Sequence, residues 1–312
     1  MEKGSIRKAY GQALAEYGAI NPDVVVLDAD VSSSTQTHIF AKRFPDRFFN
    51  VGIAEAGMVD VAVGLALEGE VPFVNTFAAL LALRALEQIR TCVAYARTNV
   101  KLVAGYAGLS DFKDGVTHNC ICDLAIMRAM PNLAVVVAAD AVEVQKMVPV
   151  VAEYDGPVYF RVSRTDWPII FGNTHEMEIG KGVVLRGGRD VTLIGTGLMV
   201  YRCMRAADVL AEEGIDARVL EIHTLKPFDV GLVREAAEET GAIVTAEEHS
   251  IIGGLGGAVA ESLGGCCPVP IERVGIRDTF GVTALDIESL LDHCGMAVED
   301  IVGAARRVIA RK

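Results

Sequence analysis

Each of several features missing from this 312-residue chain removes a class of function. Its most apolar stretches, LAVVVAADAVEV and VDVAVGLALEG, are broken by acids well short of the roughly 18 residues a bilayer span needs, so no membrane partner is expected. The opening residues MEKGSIRKAYGQ carry charge from position 2 and lack the apolar stretch of about 7–15 residues that marks a secretory signal, so a cytoplasmic location is expected. No basic stripe is visible, and 29 lysines and arginines against 41 acids give a net charge of −12. Such an excess repels phosphate backbones, so no nucleic acid is expected as a partner. The seven cysteines contain no C-x-x-C and sit mostly in apolar segments, which excludes a disulfide framework. His118, Cys120 and Cys122 lack the spacing and the second ligand pair of a zinc site, so no metal is expected in this chain. There is also no G-x-x-x-x-G-K-[ST], no G-x-S-x-G and no G-D-G, which disfavours P-loop and α/β-hydrolase chemistry.

What is present is a globular composition, 51% hydrophobic and 22% charged, in a chain long enough for about two domains of roughly 150 residues. Apolar blocks bounded by turn residues alternate with segments of 3.6-residue period, the pattern of a parallel sheet covered by helices on both faces. The class is α/β, with two doubly wound α/β domains. The first should open with a helix capped by Ser5 and ended by Gly18, followed by strand VVVLD (24–28) and a helix near 35–43. FFNV, VPFVNT, VKLVAGY, LAVVVA and VYFRV complete six strands, with a long helix over 78–96 among those between them. SRTDWPIIFGNTHEMEIG has neither period, which sets the domains at 1–165 and 180–312 with a linker at 166–179. Strands VTLIG, ARVLEI, AIVTAE and IERVGI build the second domain, and two helices close it.

Three motifs could carry chemistry. FFNVGIAEAGM (48–58) runs from a strand through a tight Val51-Gly52 turn into a helix whose first turn holds Glu55. A carboxylate there lies at the carboxyl end of a strand, where open α/β sheets bind ligands, although first-turn acids also simply complement the helix dipole. YAGLSDFKDGVTHN (106–119) packs Asp111, Lys113, Asp114, Thr117 and His118 into one polar loop, either a substrate-binding loop or an exposed Asp-Gly turn. GTGLMV (195–200), with Glu221 at the end of the next strand, is half of a dinucleotide fingerprint whose third glycine position is Val200. GGLGGA (253–258) is a tight-turn and packing signal first and a phosphate cradle second.

In order and spacing, FFNVGIAEAGM, VPFVNTF (71–77), KDGVTHN (113–119) and PVYFRVSR (157–164) resemble the pyrimidine-binding domain of transketolase. GKGVV, HTLKPFD (223–229) and AEEHSIIGGLG (246–256) resemble the C-terminal domain of the same family, so the likeness covers nearly the whole chain. The resemblance implies thiamine diphosphate as cofactor. It also implies a separate N-terminal subunit that carries the absent G-D-G motif, holds the diphosphate with Mg²⁺ or Ca²⁺, and assembles with this chain as A2B2.

Carried over residue by residue, Glu55 matches the glutamate that hydrogen-bonds the aminopyrimidine and favours the tautomer that takes up the thiazolium C2 proton. Phe77 matches an aromatic on the pyrimidine and Asp30 an acid near the cofactor. Leu80 stands where many relatives have a second aromatic. Arg7, Ser34 and Arg164 match groups that bind a sugar phosphate, where bidentate arginine suits a terminal phosphate. Asp114 and His118 match residues that contact substrate hydroxyls, His118 near the reacting carbon. Tyr106 stands where many relatives have a histidine, which leaves sugar specificity open. The implied reaction moves a two-carbon ketol unit from a ketose phosphate to an aldose phosphate. The rival readings are the β-subunit of a 2-oxoacid dehydrogenase decarboxylase, an enzyme like deoxyxylulose phosphate synthase and, from another class, an NAD-binding oxidoreductase using GTGLMV and Glu221.

Overall fold

A computed structural model of the chain describes residues 1–172 and 174–312. In chain order its strands are β1 (Lys3–Ser5), β2 (Val24–Asp28), β3 (Phe48–Asn50), β4 (Val71–Phe77), β5 (Lys101–Gly105), β6 (Ala134–Val137) and β7 (Val158–Val162). They continue as β8 (Asp166–Pro168), β9 (Val183–Arg186), β10 (Val191–Gly195), β11 (Ala217–Glu221), β12 (Thr224–Lys226), β13 (Ile243–Ser250) and β14 (Ile271–Ile276). The short apolar runs become parallel strands because a strand covered by helices on both faces needs no polar side: every residue of VVVLD, AVVV and VYFRV is buried.

Seven strands form the first sheet, in the order β12-β6-β7-β5-β4-β2-β3, and all but β12 run parallel. The sequence pattern accounts for six of these. The seventh, β12, comes from the second half and pairs antiparallel with β6, so backbone hydrogen bonds tie the two halves together. The second sheet has the order β14-β13-β10-β11-β9, with β9 antiparallel at its edge. β8, within the stretch that lacks either period, pairs antiparallel with β1, and Trp167 of β8 donates its indole N–H to Leu198 O at 3.1 Å.

Local differences from the periodicity have packing causes. The first helix runs Ile6–Ile20, past Gly18, and Ser5 makes no capping bond through its side chain. Gly18 is a close-approach position: a Cβ there would lie 2.4 Å from the Phe40 ring. The helix near 35–43 is two short pieces, Ser32–Thr35 and His38–Arg43, separated at Gln36 by a left-handed backbone (φ 67°). The long helix over 78–96 breaks into Ala78–Arg84, Leu86–Gln88 and a π-helical segment, Ile89–Tyr95. Among the described residues no helix is long and apolar enough to cross a membrane.

Candidate active site

Parallel strands aim their carboxyl ends at one edge of the sheet, and that edge collects most of the residues singled out from the sequence. Asp30 follows β2, Glu55 follows β3, Leu80 follows β4, Tyr106 follows β5 and Arg164 follows β7, while Phe77 ends β4 itself. Arg7 joins them from the first turn of the helix Ile6–Ile20.

Glu55 opens the helix Glu55–Leu67 after the left-handed Gly52 (φ 73°) and is only 4% exposed. Its two carboxylate oxygens accept from Arg84 Nη1 at 3.2 and 3.4 Å, and the Arg84 side chain is 55% exposed. An ion pair with one partner in water contributes up to about 1 kcal/mol, so this carboxylate is held weakly enough to exchange partners. Leu80 lies in the same helix as Arg84, Ala78–Arg84, and is half-buried. Asp30 has a left-handed backbone (φ 65°) and accepts from Asn50 Nδ2 at 3.0 Å.

A second group centres on Tyr106, whose ring stacks on Phe77 with centroids 4.3 Å apart. Its hydroxyl accepts from Arg7 Nη1 at 2.8 Å, and Arg7 also donates to Ser34 O at 3.4 Å. The Arg164 guanidinium lies 4.9 Å from the Tyr106 ring centre, and the His118 ring meets Phe77 edge-on at 5.7 Å. Tyr106 is itself in the left-handed region (φ 57°), a conformation costing a bulky residue about 1–2 kcal/mol that its packing must outweigh. His118 is half-buried, with Thr117 Oγ1 at 2.9 Å from Nδ1. Thus Arg7, Ser34, Phe77, Tyr106, His118, Arg164 and Asp114 form one contiguous set, and Asp30, Glu55 and Leu80 flank it on adjacent strand ends.

The roles of three partners are not legible in the sequence, although Asp111 and Thr117 lie in the polar loop singled out there. Arg84, far along the chain from Glu55, is one. Asp111, fully buried, pairs with Arg164, while the exposed Asp114 is 3.9 Å from the same guanidinium. Burial and the neighbouring Asp114 raise the Asp111 carboxyl above its ordinary value against the pull of Arg164. Thr117 is the third. Beside this set opens a cleft of about 550 Å³, lined by Arg7, Arg164, Lys3 and Lys113 together with Asp166, Asp286 and Glu288. Its volume is that of a small-molecule site.

The other motifs serve packing. Glu221 is fully buried, and a Cβ on Gly195 would meet the Val200 backbone at 2.8 Å, so GTGLMV brings helix and strand together without offering an acid to a ribose. At GGLGGA the N–H groups of Leu255 and Gly256 donate to Glu247 Oε2 and Oε1 at 2.6 and 2.8 Å, so the chain's own carboxylate occupies the place of a phosphate. Cys120 is buried, and burial pushes its thiol well above the ordinary range, as in an unreactive core cysteine.

Residues 2–169 match the family model for the transketolase pyrimidine binding domain, and residues 180–301 match that for the transketolase C-terminal domain. A transketolase C-terminal section from Methanocaldococcus jannaschii is 44% identical, over 97% of this chain and 95% of its own length. A 6-deoxy-6-sulfo-D-fructose transketolase subunit, SqwH, from Clostridium sp. (strain MSTE9) is 41% identical, over 100% and 97%. Among solved structures, a split gene transketolase described as an inactive beta4 tetramer superposes with a TM-score of 0.90 at 46% identity, over 98% of each chain.

Proposed function

The chain belongs to the transketolase family, and from that premise we propose that it is one subunit of a split, thiamine-diphosphate-dependent transketolase. It would act in the cytoplasm, moving a two-carbon ketol unit from a ketose phosphate to an aldose phosphate. An N-terminal subunit bearing the G-D-G motif would supply the diphosphate site with its Mg²⁺ or Ca²⁺, in an A2B2 assembly. The split-gene neighbour and the relatives named as a section and as a subunit support this division.

The observation that carries the reading is the convergence, on one strand edge, of a buried carboxylate with a displaceable partner, a half-buried aromatic and two arginines beside a cleft. That donor set fits an aminopyrimidine: Glu55 is dry enough to make a strong hydrogen bond to a ring nitrogen, and Phe77 and Leu80 supply apolar surface for a flat ring. Thiamine diphosphate, when bound, supplies the electron sink for cleavage next to the carbonyl. Glu55 would hold the ring nitrogen, Asp30 would lie near the cofactor, and exclusion of water by the partner would strengthen both contacts.

Arg7, Ser34 and Arg164 would take the terminal oxyanion of the sugar, with Asp111 keeping the Arg164 fork aimed. Asp114 and His118 would bind hydroxyl groups. Thr117 engages His118 Nδ1, which leaves Nε2 for substrate. Tyr106 would replace an imidazole with a phenol bound to Arg7, altering which sugar end is read. Because SqwH is named for a sulfo-sugar, sulfonated as well as phosphorylated ketoses belong among the donors to test.

The deciding experiment measures turnover of xylulose 5-phosphate with ribose 5-phosphate, thiamine diphosphate and Mg²⁺, using this chain alone and then with a G-D-G-bearing subunit. Activity only in the mixture supports the split enzyme. Decarboxylation of pyruvate by the same mixture would instead favour the 2-oxoacid dehydrogenase reading.

A further inference from the structure

At the β6 end of the same sheet edge, apart from the set around Tyr106, three residues from three parts of the chain meet in the interior. Glu143 lies in the helix Ala141–Glu153, His175 in the connecting segment, and Glu221 ends β11. Both glutamates are fully buried, and the His175 side chain is 11% exposed. One donor atom from each lies within 4.8 Å of the other two, and His175 Nε2 is 3.7 Å from Glu143 Oε1.

The hydrogen bonding around them is incomplete. Glu143 Oε2 accepts from Ala139 N–H at 2.6 Å, but among the described residues Glu143 Oε1 and both oxygens of Glu221 have no hydrogen-bond partner. The nearby Asp140 brings no relief, because its oxygens are taken by the N–H groups of Glu143, Ile170 and Phe171. Three acceptor oxygens on two adjacent acids, shielded from water, require either a shared proton or a cation.

We propose that Glu143, His175 and Glu221 form a site for a divalent transition-metal ion, best suited to Zn²⁺, that joins the two halves of the chain. Two carboxylates balance the charge of such an ion, and one imidazole nitrogen with carboxylate oxygens is a donor set that zinc accepts and Mg²⁺ or Ca²⁺ does not favour. Donors about 2.0–2.1 Å from a tetrahedral ion stand about 3.3 Å apart, close to the 3.7 Å already present between His175 and Glu143. The supporting contacts are in place as well. Ala139 N–H orients Glu143, and Phe171 stacks on the His175 ring at 4.0 Å and 22°. His175 Nε2, the nitrogen that faces Glu143, donates its hydrogen to Met177 Sδ at 2.9 Å, so ion binding would exchange that proton for the metal. Because the ligands are far apart in sequence, the site exists only in the folded chain, and ion binding must stabilise the fold.

The test uses the full chain, stripped of metal by chelator and then offered Zn²⁺. The expected result is one ion retained per chain after gel filtration and a higher Tm. His175→Ala and Glu221→Gln should each abolish the Tm gain and weaken retention at least roughly tenfold, the loss typical even of an outer-shell change. His175 lies outside the regular elements, so its variant reports on binding even if Glu221→Gln misfolds. Absence of retained zinc in the wild type would overturn the site and leave the two carboxyls sharing a proton. Undiminished retention by His175→Ala would overturn it too, by moving the ion to other side chains.

Discussion

The Tyr106 ring lies on Phe77 at a centroid distance of 4.3 Å and an angle of 25°, while its hydroxyl takes a hydrogen bond from Arg7 at 2.8 Å. One residue therefore links the surface proposed for the pyrimidine to a cation proposed for the sugar oxyanion. Tyr106→Phe keeps the stack and releases Arg7. In the reconstituted complex this variant should change KM for the sugar phosphate by roughly 2–10-fold, the range of one net hydrogen bond, with kcat and cofactor affinity nearly unchanged. Steady-state kinetics with separate donor and acceptor titrations check it.

Glu55→Gln keeps the size and burial of the side chain and removes its charge. If this carboxyl governs proton transfer in the cofactor, kcat should fall by roughly 10²–10⁴-fold while the complex still assembles. Turnover within a few-fold of wild type would remove Glu55 from the proposed role.

Arg161, 1% exposed, is held by Asp123, itself fully buried, at 3.0 and 3.2 Å. The same guanidinium donates to Cys120 O and Glu248 O at 3.1 Å, bridging the first sheet to β13. Asp123→Ala would leave a buried cation unpaired, at a cost of about 3–5 kcal/mol. The drop in urea midpoint measures it.

Burial pushes the Glu248 carboxyl up to about 7 from an ordinary 4.5, although Arg161 opposes the rise. A raised carboxyl stabilises the fold fully below about 4.5, and that contribution is lost as pH rises through about 7. Glu248→Gln should therefore raise stability relative to wild type at pH 8 by at most about 3 kcal/mol and change it little at pH 4.5. Thermal unfolding of both proteins at the two pH values tests the sign.

Local information in the chain is enough to mark the six apolar strands of the first sheet, the strand-to-helix turn that presents Glu55, and the polar loop that holds Asp114 and His118. Period and turn chemistry act over a few residues, so they can be read directly, and the ordered motifs carry the family. The fate of Glu221 could not be read that way. It looks the same whether it faces a ribose or packs against Glu143, because the decision rests on a helix more than seventy residues earlier in the chain. Likewise only the tertiary structure inserts β12 into the first sheet, fills the GGLGGA turn with Glu247, and sets Arg84 on Glu55 and Asp111 on Arg164. Desolvation and charge pairing depend on what long-range packing brings within a few ångströms, and no periodicity along the chain encodes that distance.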